Sequence, residues 1–465
     1  MTKDRNNSKK RNRRLRDLIL TILVIFVLIG LPMLFLDFQA KRSGLTWGGV
    51  IHRIMNRAGE KDKVSGIIGD TSGGRNISFL EKKAIGDSFV DPPLISNIAA
   101  TDLDKDGLLD VVLCDARSNK VSWIRQFPLN TFTETELADS LLAPAHIQVK
   151  DFDGDGDNDI MVAVLGLLFP SNDKIGSVVV LENDGTCHFK KHFIADRIAR
   201  VSDVRAGDLD GDGDMDLGVA QFGYDDGETR WIENLGNWNF KSHIMQHLSG
   251  PINVELVDID KDGDLDMITL VSQEWEEIYI YLNEGKGNFQ KKLIFGSSNE
   301  DFGSSGIYMA DADQDGDLDI LYTNGDAFDY IPPQGRPWHG VQWLENKGNL
   351  TFEYHRLCNF IGAYNARPVD IDGDGDLDLF AVSAFNLWDK PESQSFIWLE
   401  NTGDMHFVMH NIANNPTHLL TMELGDFNND GLVDMVTGGM HAYPPYDRMG
   451  RITLWINNGN LAGKK

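Results

Sequence analysis

Aspartates recur in this chain at a spacing that suits a hard divalent cation. In Asp258-Ile259-Asp260-Lys261-Asp262-Gly263-Asp264-Leu265-Asp266, carboxylates stand at positions 1, 3, 5 and 9. Ca2+ takes six to eight oxygens at about 2.3–2.6 Å, and alternate residues of a tight loop can deliver four of them. The carbonyl of position 7, Asp264, offers one more, and Gly263 permits the sharp turn that wraps an ion. Mg2+ fits less well, because it demands a tighter octahedron.

The loop occurs seven times. The first copy supplies Asp102, Asp104, Asp106, the Leu108 carbonyl and Asp110. The second supplies Asp151, Asp153, Asp155, Asp157 and Asp159, and the third Asp208, Asp210, Asp212, Asp214 and Asp216. The fifth supplies Asp311, Asp313, Asp315, Asp317 and Asp319, and the sixth Asp370, Asp372, Asp374, Asp376 and Asp378. In the seventh, Asp426, Asn428, Asp430, the Leu432 carbonyl and Asp434 take these places. Asn428 keeps an oxygen but loses a charge. One copy could be an ordinary Asp-Gly turn. Seven copies with one ligand spacing point to metal, up to seven Ca2+. An EF-hand is excluded: position 12 is Leu113 in the first loop and Thr269 in the fourth, and a strand-like run follows.

The loops begin 49, 57, 50, 53, 59 and 56 residues apart. That period suits one four-stranded unit. An alternating stretch leads into each loop, as in Ile252-Asn253-Val254-Glu255-Leu256-Val257, and an apolar run such as Met267-Ile268-Thr269-Leu270-Val271 leads out. An aromatic-led strand follows (Trp231-Ile232-Glu233-Asn234, Trp343-Leu344-Glu345-Asn346, Trp398-Leu399-Glu400-Asn401). A fourth strand then opens on Phe240, Phe289, Phe352 or Phe407. The last unit stops after its third strand, while a spare strand, Ile77–Ile85, precedes the first loop. Joining the two closes a ring and removes exposed strand edges. The expected fold is all-β: a seven-bladed β-propeller of four-stranded antiparallel blades over residues 76–459, with a short tail at 460–465.

The repeated loops and the Trp-Leu-Glu-Asn strand resemble FG-GAP/VCBS-type repeats, similar to the propeller of integrin α subunits. The resemblance implies calcium at the hairpin between the first two strands of each blade, with ligands on the opposite face. The literal Phe-Gly signature is sparse, Phe222-Gly223 being one instance. Nothing else in the chain resembles an integrin, so adhesion is not implied.

Long, dissimilar connections after the second strands belong to that opposite face. They carry Tyr224 and Arg230, Trp275, then Tyr330, Arg336, Trp338 and His339, then Trp388, and lastly His441, Tyr443 and Arg448. Aromatics with Arg and His on variable loops suit a glycan, peptide or protein ligand. In the innermost strands, period-two alternation predicts a polar channel wall, with Arg205 and Arg367 near Glu255 and Glu423.

Residues 1–42 hold ten basic and three acidic residues, leaving 33 basic and 68 acidic in the remainder. So acidic a body repels nucleic acid. The basic cluster, in the tail 1–17, precedes an apolar run, Leu18–Leu36, long enough for one transmembrane signal-anchor helix. Residues 37–75 read as a linker, and the propeller would then lie outside the cytoplasm, periplasmic or extracellular. Three cysteines, Cys114, Cys187 and Cys358, follow no disulfide or metal spacing and read as free thiols. The expected function is a membrane-anchored, calcium-binding interaction module. A polysaccharide lyase or hydrolase is the alternative, with His146, His339, His441 and Tyr308 as acid–base candidates, but no catalytic motif accompanies them.

Overall fold

The computed structural model describes residues 26–43 and 77–460, apart from 274, 275, 298, 300 and 329, plus single positions 20, 47, 50, 51, 69 and 74. Met1–Lys63 and Val64–Lys465 are two compact units. In the first, a π-helical turn, Phe26–Gly30, continues into an α-helix, Leu31–Ser43. Among the described residues no helix is long and apolar enough to cross a membrane. The expected span Leu18–Leu36 falls partly outside them, and so do the basic tail 1–17 and most of the linker 37–75. The helix runs on past Leu36 into a stretch that the sequence left without structure. Gln39, Ala40, Lys41 and Arg42 are good helix formers, and no Gly or Pro interrupts them.

The second unit is seven four-stranded antiparallel sheets. Blade one is Ile95–Thr101, Asp110–Asp115, Lys120–Gln126 and Phe132–Ala138. Every innermost strand ends one residue before an Asp loop, and every second strand begins on that loop's ninth residue. All second strands are six residues long and buried throughout. Neighbouring blades cover both their faces, which is why they read as continuous apolar runs. The outer strands alternate instead, and the first six open on Phe132, Phe189, Phe240, Phe289, Phe352 and Phe407. Third strands start two or three residues ahead of the tryptophan: Glu228–Asn234, Gly340–Asn346, Phe396–Asn401.

The core lies between blades. Val112 and Trp123 of blade one pack with Ile147, Ile160 and Val179 of blade two. Fully burying each such side chain contributes about 1.5–3 kcal/mol. The three cysteines are free, so this packing rather than disulfides holds the ring.

The ring closes as the sequence predicts. Leu80–Ile85 pairs antiparallel with Ile452–Asn457, from Leu80 opposite Asn457 to Ile85 opposite Ile452. Phe79, 1 % exposed, packs beside Trp398 and Phe380, doing for blade seven what the opening Phe does elsewhere. Across the seam, Arg451 of blade seven holds Glu134 of blade one through two hydrogen bonds of 2.6 and 2.7 Å.

Candidate functional site

Each Asp loop is shaped by its own backbone. In the fourth, Lys261 and Gly263 adopt φ of 64° and 102°, left-handed values that curl the chain around a centre. Asp258 accepts the N–H groups of Asp262 and Gly263 at 3.1 and 3.0 Å, and Asp262 accepts that of Asp264 at 3.0 Å. These bonds turn the carboxylates inward. One oxygen from each of Asp102, Asp104 and Asp110 lies within 4.8 Å of the other two; the same holds for Asp151, Asp153 and Asp159, for Asp208, Asp210 and Asp216, and for Asp258, Asp260 and Asp262. Oxygens that share a Ca2+ at about 2.3–2.6 Å can be no more than about 5 Å apart, so the spacing fits. Asp104 Oδ1, Asp311 Oδ1 and Asp378 Oδ2 are buried without a hydrogen-bond donor, which is the state of a ligand oxygen.

The ninth residue does more than its spacing suggested. Asp216 is fully buried; it accepts the Leu209 N–H at 2.9 Å and the Asn234 N–H at 2.7 Å. It therefore ties the loop to the end of the third strand. Burial pushes its pKa up to about 6, against those two hydrogen bonds, and lifts Asp378 to about 7. The Asn of the Trp-Leu-Glu-Asn strand completes the tie: Asn234 donates to the Met215 carbonyl at 3.1 Å and accepts from Gly236 at 3.1 Å. Asn234→Ala removes both bonds, at about 1 kcal/mol each. Its urea-unfolding stability is expected to fall by about 2 kcal/mol, and a loss below about 0.5 kcal/mol would contradict this account.

Blade one departs from the pattern. Where blades two, three, five and six place Glu182, Glu233, Glu345 and Glu400, it places Arg125. The guanidinium lies 2.5 Å from Asp104 and 3.3 Å from Asp106. The first loop thus carries its own cation. The signal was in the sequence, as Trp123-Ile124-Arg125-Gln126 beside Trp-Leu-Glu-Asn.

On the other face, most of the loop residues singled out from the sequence hold one another. Arg336 meets Asp301 at 2.8 Å and lies over the Tyr330 ring at 4.1 Å, while the Trp338 indole donates to the Asp301 carbonyl at 2.7 Å. His339 is buried and accepts the Gly362 N–H at 3.2 Å. Trp388 is buried against His418, and the His441 ring lies 5.0 Å from that imidazole between ring centres. Arg448 donates to the carbonyl of Trp388 at 2.5 Å. Burial pulls His339 and His418 down to about 3 and His441 to about 4, so all three are neutral at pH 7. Arg230 pairs with Glu228 on its own strand and donates to Ser242 at 2.8 Å. Tyr224 is 40 % exposed on its loop, and Trp275 lies outside the described residues. Tyr443 sits between Phe169 and Phe328, joining loops of blades two, five and seven.

The innermost strands do line a central cavity, of about 370 Å3, at the end away from the Asp loops. His146, Arg205, Glu255, Tyr308, Arg367 and Glu423 contribute to its wall. Arg205 pairs with Glu255 at 3.0 Å and Arg367 with Glu423 at 2.7 Å, as expected from the alternation. Asp203 is the exception. It is wholly buried beneath His146, 2.8 Å away, and accepts the Val254 N–H at 3.1 Å. Of the acid–base candidates, His146 and Tyr308 reach this cavity. Phe222, Phe328, Tyr364 and Arg200 line its mouth and were not chosen from the sequence. Arg200 had a signal. Eight residues before the loops stand Leu94, Ala143, Arg200, Gly250, Gly303, Gly362 and His418, and Arg is the outlier.

The FG-GAP-like repeat matches at residues 102–162, 151–219, 270–322 and 370–437, together just over half of the chain. No curated protein matches. Among solved structures, a crystal structure of BBS1N in complex with ARL6DN, soaked with lead, is similar at 9% identity and a TM-score of 0.49, over 82% of this chain and 97% of that one. The same complex soaked with mercury gives 11% identity, a TM-score of 0.49 and the same coverage. Repeat match, blade count and loop placement agree, and the chain belongs to the FG-GAP-like repeat family.

Proposed function

We propose that this propeller is a calcium-stabilised interaction module. It is tethered to a membrane by its N-terminal apolar segment and recognises a glycan, peptide or protein partner on the face opposite the Asp loops. The observation that carries the reading is the division of labour between faces. One bears inward-turned carboxylates; the other opens into a cavity with a charged floor and an aromatic mouth. The four side chains at positions 1, 3, 5 and 9 would hold each ion, with the position 7 carbonyl. Bound Ca2+ supplies charge neutralisation where carboxylates would otherwise repel. The tether is supported by the exposed apolar surface of Phe26, Leu28, Ile29, Leu34 and Phe35, following the basic tail. On this reading the tail is cytoplasmic and the propeller extracytoplasmic.

A glycan and peptide array probed with the full chain, with calcium and with chelator, tests the module. Calcium-dependent retention of a defined ligand class is expected. No retention under either condition sinks the reading, and release of unsaturated sugar would replace it with a lyase. Arg125 gives a sharper test of the loops. Its charge repels a divalent ion by about 2 kcal/mol at contact range in water. Arg125→Gln is therefore expected to strengthen the first site roughly tenfold in calcium titration calorimetry, after screening. An unchanged isotherm contradicts a metal in that loop.

A further inference from the structure

In the cavity at the channel mouth, Arg200 has no carboxylate partner among the described residues. Arg200 is 3 % exposed and contributes to the cavity wall. Its Nε and Nη2 donate to the carbonyls of Leu167 and Leu168 at 3.0 and 2.7 Å, and its guanidinium lies 5.2 Å from the Phe222 ring centre. Its Nη1 is buried without a partner. Among the described residues no carboxylate lies within ion-pair distance of it. The other two arginines of the wall are matched, Arg205 by Glu255 and Arg367 by Glu423. Burial draws Arg200 down only to about 10, so it is charged at neutral pH. Leaving a charge buried without a counter-ion costs several kcal/mol. Two carbonyls and one ring offset only part of that.

A second group of atoms in the same wall is also unsatisfied. Asn253 Oδ1, Asn365 Oδ1 and Thr421 Oγ1 are buried without partners. The corresponding Asn97 oxygen accepts the Ile147 N–H of the next blade at 3.2 Å, so this position can be satisfied within the protein. The amide oxygens can only accept, and they call for a ligand with O–H or N–H donors. At about 370 Å3 the cavity is near the lower end of the roughly 300–1,000 Å3 usual for small-molecule sites.

We infer that the channel mouth binds a small organic carboxylate carrying hydroxyl or amide N–H donors. Arg200 receives the carboxylate, and the ring of Asn253, Asn365 and Thr421 receives the donors. A uronic acid and the free end of a peptide share this chemistry. The inference rests on the reading of this face as the binding face.

The full, calcium-loaded chain is titrated with D-galacturonate and N-acetyl-L-alanine, with D-galactose and N-acetyl-L-alaninamide as neutral counterparts, and with inorganic phosphate. At least one carboxylate is expected to bind tenfold or more tightly than its neutral counterpart, and which one does identifies sugar acid or peptide terminus. Arg200→Gln should erase that preference, and Arg200→Lys should restore part of it. The comparison within the unaltered protein stands even if a variant misfolds. The inference is overturned if acid and neutral probes bind alike, if phosphate is the only anion bound, if nothing binds, or if a folded Arg200→Gln keeps the preference. Array retention that survives Arg200→Gln would leave the module reading standing while sinking this one.

Discussion

Transfer from millimolar calcium into excess chelator is expected to lower the melting temperature of this protein by at least 10 °C. At a hundredfold excess over Kd, each independent site adds about 2.7 kcal/mol to the folded state. A domain of this length unfolds with an entropy of roughly 0.8 kcal/mol per kelvin. Three filled sites therefore correspond to about 10 °C and seven to more than 20 °C. The effect should be cooperative, because the loops are linked around the face. Lys105 reaches Asp157 of the next loop at 2.9 Å, Lys261 reaches Asp317 at 2.6 Å, and Gln314 reaches the Gly375 carbonyl at 2.5 Å. Differential scanning calorimetry in calcium, in magnesium and in chelator measures it. If chelator leaves the transition where it was, the loops are Asp-Gly turns and the proposed calcium role falls.

The fold was legible because its signals are local and repeated. Seven copies of one loop gave the blade count. A Phe at the start of four outer strands marked the fourth strand of a blade, and the stray strand before the first loop marked the closure. Each loop and each strand signature lies within about ten residues, and their repetition along the chain does the rest. The channel wall was legible for a related reason: strict alternation puts Arg205, Glu255, Arg367 and Glu423 on one side of four equivalent strands. The opposite face was less so. Tyr330, Arg336, Trp338 and His339 look like a ligand set when read along the chain. Their partners, Asp301 and Gly362, come from other connections, and pairing across loops has no period. Asp203 occupies a channel position by alternation, yet the imidazole of His146 in the preceding blade covers it. Arg125 and Arg200 were visible only as departures from a column of equivalent residues. A departure becomes meaningful once the structure shows what the usual residue does there. Along the N-terminal segment the sequence stopped the helix with the apolar run, whereas helix propensity carries it on to Ser43.

Arg451→Ala is expected to cost about 3–5 kcal/mol, the largest loss from any single substitution at the ring's seam. The pair it breaks is a bidentate ion pair whose side chains are only 7 % and 2 % exposed, and removing one partner leaves a buried charge without compensation. Glu134 would keep the Asp87 N–H, at 2.8 Å, but no cation. The pair joins Arg451, one residue ahead of the third strand of blade seven, to the fourth strand of blade one, beside the strand pair that closes the ring. Around it the seam is also held by the Gln126 amide of blade one, which donates to the Phe427 carbonyl at 3.0 Å, and by Lys83 on the Asn130 carbonyl at 3.0 Å. Burial is the largest single influence on Glu134 and opposes its ionisation, but the Arg451 hydrogen bonds, the Asp87 N–H and the guanidinium charge together outweigh it and hold the carboxyl below its ordinary range. A folded pKa lower than the unfolded one gives stability that is complete above the ordinary glutamate value and is lost as pH falls through the lowered one. The clasp therefore holds at neutral pH and releases only in acid. Denaturant unfolding of Arg451→Ala, Glu134→Gln and their combination completes a cycle, and the apolar double variant Arg451→Met/Glu134→Leu is measured beside it. The apolar double variant should recover part of the loss, since replacing both charges removes their desolvation cost along with the attraction, while Asp115, 3.5 Å from Arg451, is left without its cation. Hydrogen exchange should quicken first in Leu80–Ile85 and Ile452–Asn457, the strands that close the ring. A cost under 1 kcal/mol for Arg451→Ala, or exchange that quickens evenly around all seven blades, would mean that strand pairing alone closes this propeller and the ion pair is incidental.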